Sequence, residues 1–294
     1  MIVCFGSINL DLIFPLPVLP QRGQTVLGRA MHAEPGGKGA NQAVAAARDG
    51  ARVLFAGAVG ADGFADQALA TLRTAGVDLA RVAAVATSTG CAAICVDAEG
   101  HNQIAVASGA NLMARAAQVE AALLASGTTL LLQGECDLDE TAALIGRARA
   151  GGARIVLNLA PAAPLPASAL RQVDVLVVNE DEAAAVGAQI GTRGDAASLH
   201  AALGVPVIVT LGERGLQAAT TAGLTEMPVH KVEVVDTTAA GDCFTGVLAA
   251  ALDRGLALAG AMRRATVAAA LCCSRAGSQG SLPLAAETDA ALRG

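Results

Sequence analysis

The chain has 294 residues, 53% of them hydrophobic and 16% charged, with a formal net charge of −6. That composition excludes a disordered polymer and supplies a sizeable core for one large α/β unit or two smaller ones. With 2% aromatic residues, no Trp or Tyr and a negative balance, it also argues against a nucleic-acid binder that stacks bases or neutralises phosphates.

In chain order, "IVCFG" (2–6) reads as a strand with no basic residues ahead of it, so a signal peptide is not expected. Residues 12–33 lack helical spacing and carry the strand-like pieces "LIFPLPVLP" and "TVLGRAMHA". An Ala-rich helix follows in "NQAVAAARDG", then a strand in "RVLFAGAVG" (52–60) and a helix in "DQALATLRTAG". Residues 87–108 break the rhythm again, with "TSTGCAAICVD" and "NQIAVAS" joined by "DAEGHN" as a hairpin. The remainder alternates: a helix in "AQVEAALLASG", strand 129–134, helix "ETAALIGRARAGG", strand 154–159, strand 173–179, helix "EDEAAAVGA", helix "DAASLHAALG" and strand 206–212. Fully apolar strands between amphipathic helices predict a doubly wound α/β fold, its mostly parallel sheet flanked by helices. A single domain, residues 1–294, is expected, with a small β-sheet lid inserted from about 12–33 and 87–108; a solvent-facing decoration is the plainer reading of those pieces. "NLAPAAPLPASAL" reads as a Pro-rich loop, because the strand pattern continues on both sides.

The seven cysteines (Cys4, Cys91, Cys95, Cys136, Cys243, Cys272, Cys273) form no C-x-x-C pair, so reduced thiols in a cytoplasmic protein are expected rather than a zinc or disulfide framework. No uncharged apolar run reaches membrane-spanning length without Pro or Gly, and no membrane partner is expected.

Three clusters could carry chemistry. In "VVDTTAAGDCFTG" (234–246), Ala239, Ala240 and Gly241 precede Asp242 at the start of a helical stretch. Free N–H groups at a helix mouth bind anions, and a carboxylate there has a use if it takes a proton from an attacking hydroxyl; a simple N-cap is the alternative. "PGGKGANQAVAAA" (35–47) satisfies neither the Walker A loop nor the dinucleotide fingerprint. It sets glycines around Lys38, one of only two lysines beside eighteen arginines, and opens a helix near Asn41. In "GSINLDL" (6–12), Asn9 and Asp11 are read as the end of the first strand, on one side of it, suited to gripping vicinal hydroxyls or to forming an ordinary polar strand end.

Together with "STG" (88–90), "SGAN" (108–111), "NLAPA" (158–162), "VVNEDEA" (177–183) and "VTLGERG" (209–215), these clusters resemble the PfkB family of carbohydrate kinases over nearly the whole chain. Within it the resemblance is strongest to members that phosphorylate ribose. The resemblance implies transfer of the γ-phosphoryl of MgATP to O5 of D-ribose. Asp242 would be the general base and the N–H groups of Ala239, Ala240 and Gly241 the anion hole. Asn9, Asp11, Gly37, Lys38, Asn41 and Glu135 match sugar-holding positions. Asn179 matches an ATP-side position and, with Glu182, the N-x-x-E motif linked to Mg²⁺ and phosphate. Thr210, Gly212 and Gly215 match the nucleotide-side loop, and Thr266 stands where such kinases commonly carry His or Asn near adenine. Asp236, Thr238, Cys272, Arg275, Gly277 and Ser281 match a monovalent-cation site, usually for K⁺. A homodimer through the lid is implied too, consistent with apolar Ile13, Phe14, Leu16 and Val18 on its edge. Kinases for 2-deoxyribose, fructose or adenosine are the alternatives in this class, and a non-catalytic sugar-binding protein the alternative outside it. Asn9 favours a sugar that keeps its 2-hydroxyl, and the shortage of aromatic residues counts against a nucleoside.

Overall fold

The computed structural model describes residues 1–293. Strand formation begins immediately: β1 (Ile2–Phe5) is buried along its whole length, Ile2 and Cys4 facing one core and Val3 and Phe5 the other. Such a strand can only sit in the middle of a sheet covered on both faces. It pairs in parallel with β4 (Val53–Gly60) on one side and β8 (Thr129–Gln133) on the other. Outward from β4 lies β5 (Asp78–Val85). Outward from β8 lie β9 (Arg154–Asn158), β10 (Val175–Asn179) and β11 (Val207–Thr210), all parallel, then the antiparallel edge β12 (Leu216–Thr220) and β13 (Gly223–Met227). The chain leaves β1 in one direction and returns on the other side at β8, so the switch point lies between their carboxyl ends. Ligands bind at such a crevice in doubly wound sheets.

One face of the sheet is covered by α1 (Lys38–Arg48), α8 (Ala240–Asp253) and α9 (Leu258–Cys273), with α10 (Ala285–Arg293) packed on α9. Helix α8 is buried from Asp242 to Leu252, and its alanines and Gly246 let α1 approach closely: a Cβ on Gly246 would lie 2.3 Å from the Gln42 carbonyl oxygen. The other face carries α4 (Leu138–Gly151), α5 (Ala167–Leu170), α6 (Glu180–Ile190) and α7 (Ala196–Leu203). Two short helices, α2 (Gly63–Ala68) and α3 (Ala70–Thr74), lead into β5.

A separate four-stranded sheet has the order β3-β2-β6-β7, built from β2 (Asn9–Pro15), β3 (His32–Gly36), β6 (Gly90–Val96) and β7 (Asn102–Ala107). Asn9 and Asp11 therefore do not end the first strand. The chain turns out of the main sheet at residues 6–8, and both side chains ride on β2, the strand that starts the small sheet. The segment "TVLGRAMHA" adds only its last two residues, to β3.

One expected helix is missing. Residues 117–127 form two short 3-10 turns, at 116–118 and 121–124. The Arg147 guanidinium takes the carbonyls of Ala116 and Val119 (both 2.6 Å), and the Gln118 amide reaches across to the carbonyls of Gly57 and Arg81 (both 2.8 Å). Tertiary partners thus claim the oxygens a continuing helix would have used. All seven cysteines are free. Among the described residues no helix is long and apolar enough to cross a membrane.

Candidate active site

The carboxyl ends of β1, β8, β9, β10 and β11 meet the start of α1, the start of α8 and the inner side of β2. Glycines make the meeting possible. A Cβ on Gly39 would lie 2.5 Å from Ser7 N and 2.6 Å from Gly6 C, and one on Gly37, at φ 91°, would lie 2.8 Å from Asn9 N. The α1 mouth is therefore pressed directly on the turn after β1, which sets Gly37, and Lys38 after it, against Asn9, while Gly36 lies against the Asp11 carboxyl.

Glu135, just past β8, joins this group: its Oε2 accepts from Ser7 Oγ (2.6 Å) and from the Lys38 backbone N–H (3.0 Å). Asn9 is buried, and its Oδ1 accepts from Asn111 Nδ2 (2.8 Å), whose own Oδ1 is held by Ile8 N–H (2.9 Å). That arrangement leaves Asn9 Nδ2 without a partner among the described residues. Asp11 has none for its carboxylate either. Burial, with Glu135, Glu34 and Asp242 nearby, pushes its pKa up to about 7. At Lys38, burial works against the ammonium, yet Asp242, Glu135 and Glu182 more than offset it and hold the side chain protonated.

The raised Asp11 has a consequence for stability. A carboxyl whose pKa rises on folding binds more protons in the native than in the unfolded chain between about pH 4 and pH 7, so the fold loses stability as pH climbs through that window. The full shift corresponds to about 4 kcal/mol, which solvent at the cleft reduces to about 2 kcal/mol. Asp11→Asn is expected to raise the melting temperature of the sugar-free protein by a few degrees at pH 8, with a gain that shrinks towards pH 5; thermal melts across that range check it, and a constant or reversed gain would sink it.

Asp242 lies in the first turn of α8 with 7% of its surface exposed. Its Oδ2 accepts from Asn41 Nδ2 and its Oδ1 from Gln42 Nε2, both at 2.9 Å. Just before the helix, Ala239 takes a left-handed conformation (φ 60°), the sole non-glycine with positive φ among the described residues. That strained residue turns the backbone so that the N–H groups of Ala239, Gly241 and Asp242 have no partner among the described residues. Ala240 differs from expectation: its N–H donates to the Thr237 carbonyl at 3.2 Å, so the free donors are those of 239, 241 and 242.

Asn179 and Glu182 form a reciprocal capping box at the start of α6: Asn179 Oδ1 accepts from Glu182 N–H and Glu182 Oε2 from Asn179 N–H, both at 2.8 Å. Burial raises the Glu182 pKa, while the cap and nearby Lys38 pull it down. Thr210 ends β11, its hydroxyl on the Val178 carbonyl (3.4 Å), and Gly212 and Gly215 shape the turn into β12 with φ of 58° and 90°. Thr266, on α9, places its hydroxyl 3.5 Å from Met227 Sδ at the end of β13.

Asp236 closes the turn before α8. Its Oδ1 accepts from the N–H (2.9 Å) and hydroxyl (2.7 Å) of Thr238, and its Oδ2 from Gly277 N–H (2.9 Å). Burial opposes its charge, but those three bonds lower its pKa overall. The Thr238 carbonyl faces Cys272 Sγ (3.7 Å), which lies 3.0 Å from Ser281 Oγ. The Arg275 side chain turns away to pair with Glu287, leaving only its backbone oxygen for this region.

Several residues absent from the sequence-based candidates complete the assembly: Ser7, Gln42, Asn111, Gln133, Asn158 and Gln279. All are buried and bonded to candidate residues or to each other. The signal available for them was the placement of a lone amide or hydroxyl in an apolar run at a strand or helix end.

The model of the pfkB family carbohydrate kinases matches residues 1–285. The chain is similar to the ribokinase of Bacillus subtilis, 34% identical over 293 residues and covering 99% of each. It is also similar to the deoxyribokinase of Salmonella typhi, 34% identical over 291 residues, covering 96% of this chain and 95% of that one. The crystal structure of the ribokinase from Thermotoga maritima superposes with a TM-score of 0.91 at 32% identity, covering 100% of this chain and 99% of that one. With the family pattern extending over almost the entire length, the chain belongs to the pfkB family of carbohydrate kinases.

Proposed function

We propose that the protein is an ATP-dependent sugar kinase that transfers the γ-phosphoryl group of MgATP to O5 of D-ribose, giving ribose 5-phosphate and ADP. One observation carries this reading: a carboxylate held by two amides, Asp242, stands beside free backbone N–H groups and faces the polar cluster of Asn9, Asp11, Lys38, Asn41 and Glu135.

The sugar hydroxyls bind in that cluster, where Asp11 and Glu135 accept and Asn9 Nδ2 donates. Asp242 takes the O5 proton as O5 attacks the γ-phosphorus, the new O–P bond forms, and the bond to the bridging oxygen of ADP breaks. The N–H groups of Ala239, Gly241 and Asp242, at the positive end of α8, stabilise the equatorial oxygens, and the Lys38 ammonium adds a fixed charge. Asn179, Thr210, Gly212, Gly215 and Thr266 line the nucleotide side.

For Mg²⁺, Glu182 is a fitting holder: a half-buried hard oxygen with Oε1 left outside the capping box. When bound with ATP, that ion neutralises phosphate charge. For K⁺, Asp236, Thr238, Cys272, Arg275, Gly277 and Ser281 would supply hard oxygen ligands, Cys272, Arg275 and Gly277 through their carbonyls, and the Thr238 carbonyl and Ser281 hydroxyl both lying near Cys272 Sγ support this reading. A cation there screens the turn that carries the anion hole.

The whole chain acts as one α/β unit, with the small sheet as a lid whose strand β2 carries Asn9 and Asp11. Its outer strand β7 exposes Ile104 (55%) and Val106 (53%), and Val18 (52%) is exposed nearby while Ile13, Phe14 and Leu16 are half-buried. We assign this face to a homodimer. Free thiols and ATP as co-substrate support a cytoplasmic location. The equal identity to a deoxyribokinase favours one second reading, 2-deoxyribose as substrate.

A coupled ADP-release assay with MgATP over ribose, 2-deoxyribose, fructose and adenosine, in K⁺ or Na⁺ salts, tests this. Turnover greatest on ribose and raised by K⁺ is expected. Preference for 2-deoxyribose would move the assignment to the second reading, and no turnover on any sugar would overturn catalysis.

A further inference from the structure

Both oxygens of Asp242 end in chains of buried amides, and those chains have a direction. An ionised carboxylate only accepts, so Asn41 and Gln42 must turn their NH₂ groups towards it. Their carbonyl oxygens are then left to accept. Asn41 Oδ1 accepts from Gln279 Nε2 (3.0 Å), and Gln42 Oε1 accepts from Gln133 Nε2 (2.9 Å). Gln42 Nε2 donates in addition to Asn158 Oδ1 (2.9 Å), whose own Nδ2 is tied to the Val177 carbonyl (3.1 Å). At the far ends, Gln133 Oε1 and Gln279 Oε1 are the two buried side-chain oxygens left without a partner among the described residues.

A leftover buried acceptor is costly, and a fold selected for stability alone would place an apolar side chain there. Gln42 is 0% and Gln279 2% exposed, so neither reaches the cleft. Gln279 also sits in a loop fastened on three sides: Arg48 takes the carbonyls of Gln279 and Leu282 (both 2.7 Å), Ser278 Oγ donates to the Pro35 carbonyl (3.1 Å), and Gly277 N–H donates to Asp236 (2.9 Å). That loop touches the start of α1 and the turn before α8 at once.

We infer that Gln42 and Gln279 are positioning residues for the kinase reaction: Gln42 directly, and Gln279 through Asn41, they fix the rotation of the Asp242 carboxylate towards the hydroxyl it deprotonates. The inference rests on the role given to Asp242 above. The unpaired oxygens are the cost of a network that ends on a functional carboxylate.

The test is a double-mutant cycle of Gln279→Met with Asp242→Asn, with Gln42→Met in parallel. Gln279→Met is expected to lower kcat about 30-fold with the sugar KM changed less than threefold. Its melting temperature should stay within a few degrees of wild type, because the unpaired Gln279 Oε1 is removed while Asn41 Oδ1 loses its donor. In the Asp242→Asn background the same substitution should leave kcat unaltered within twofold, since no base remains to be positioned. Gln42→Met should show the same kinetic pattern with a lower melting temperature, because it strands Gln133 Nε2 and Asn158 Oδ1. A Gln279→Met enzyme with kcat within twofold of wild type, or an equal loss in both backgrounds, overturns the inference while leaving the base assignment intact. Activity retained by Asp242→Asn alone overturns both. Should Gln279→Met not fold, Gln279→Leu serves: the same fall in kcat with the sugar KM nearly unchanged is expected, absent in the Asp242→Asn background, and a kcat within twofold of wild type overturns the inference.

Discussion

Replacing Asp242 with asparagine is expected to lower kcat by about 10³-fold while sugar affinity changes little. A positioned general base contributes roughly 10²–10⁴ to such a transfer, and a thousandfold loss corresponds to about 4 kcal/mol of barrier. Asparagine keeps the shape but cannot accept the proton. It also brings an NH₂ group against either Asn41 Nδ2 or Gln42 Nε2, which both now donate to the carboxylate at 2.9 Å. One of those bonds is lost, at about 1 kcal/mol of stability. Steady-state kinetics with ribose, calorimetry of sugar binding and a thermal melt separate the three effects. A kcat within tenfold of wild type would remove Asp242 from the role of base and leave the helix mouth as a binding feature only.

Much of this architecture is readable in the sequence, for a physical reason. Strands β1, β8, β9, β10 and β11 are covered on both faces, so they appear as unbroken apolar runs. β5 and the β12–β13 edge escape because they are half-exposed and mix Asp, Arg, Gln, Thr and Glu into short stretches. The Ala-rich stretch 117–127 has helical composition, but Arg147 and the distant carbonyls that bind Gln118 decide its path, and neither is visible locally. The site divides in the same way. Asp242, Lys38, Asn41 and Asn9 stand out because glycines surround them or because a polar residue ends an apolar run. Gln42, Gln133, Asn158 and Gln279 look like incidental amides, since the bond that ties each into the site spans some 90 or more residues. The small sheet was legible as a departure from helical spacing. That its first strand begins at Asn9, and so carries the sugar-facing side chains with it, depends on the three-residue turn after β1 and could not be read from alternation.

Gly36→Ala should cost sugar affinity rather than stability, and the contrast with Gly39 shows why. A Cβ on Gly36 would lie 2.1 Å from Asp11 Oδ2, 2.4 Å from Cγ and 2.6 Å from Oδ1, so the whole carboxyl group must move. Gly36 does not have a positive φ, so alanine meets no backbone strain there. The obstructing group is the free end of a side chain with no hydrogen bond to lose among the described residues, and it can swing away at little cost. Swinging removes Asp11 from the sugar. Hydrogen bonds to a charged acceptor contribute about 1.5–3 kcal/mol each, so the loss of one or two amounts to about 3 kcal/mol, or roughly 100-fold in KM for ribose. The melting temperature should stay within a few degrees of wild type, and KM for ATP should not change. At Gly39 the same added methyl would lie 2.5–2.6 Å from the backbone of Ser7 and Gly6, which cannot move without separating α1 from β1. Gly39→Ala is therefore expected to unfold the site as a whole. Ribose and ATP kinetics with thermal melts on the two variants make the comparison. A Gly36→Ala enzyme with unchanged KM for ribose would mean that Asp11 is not a sugar ligand, whereas equal destabilisation by both substitutions would mean that the Asp11 carboxyl is held in place by the fold itself.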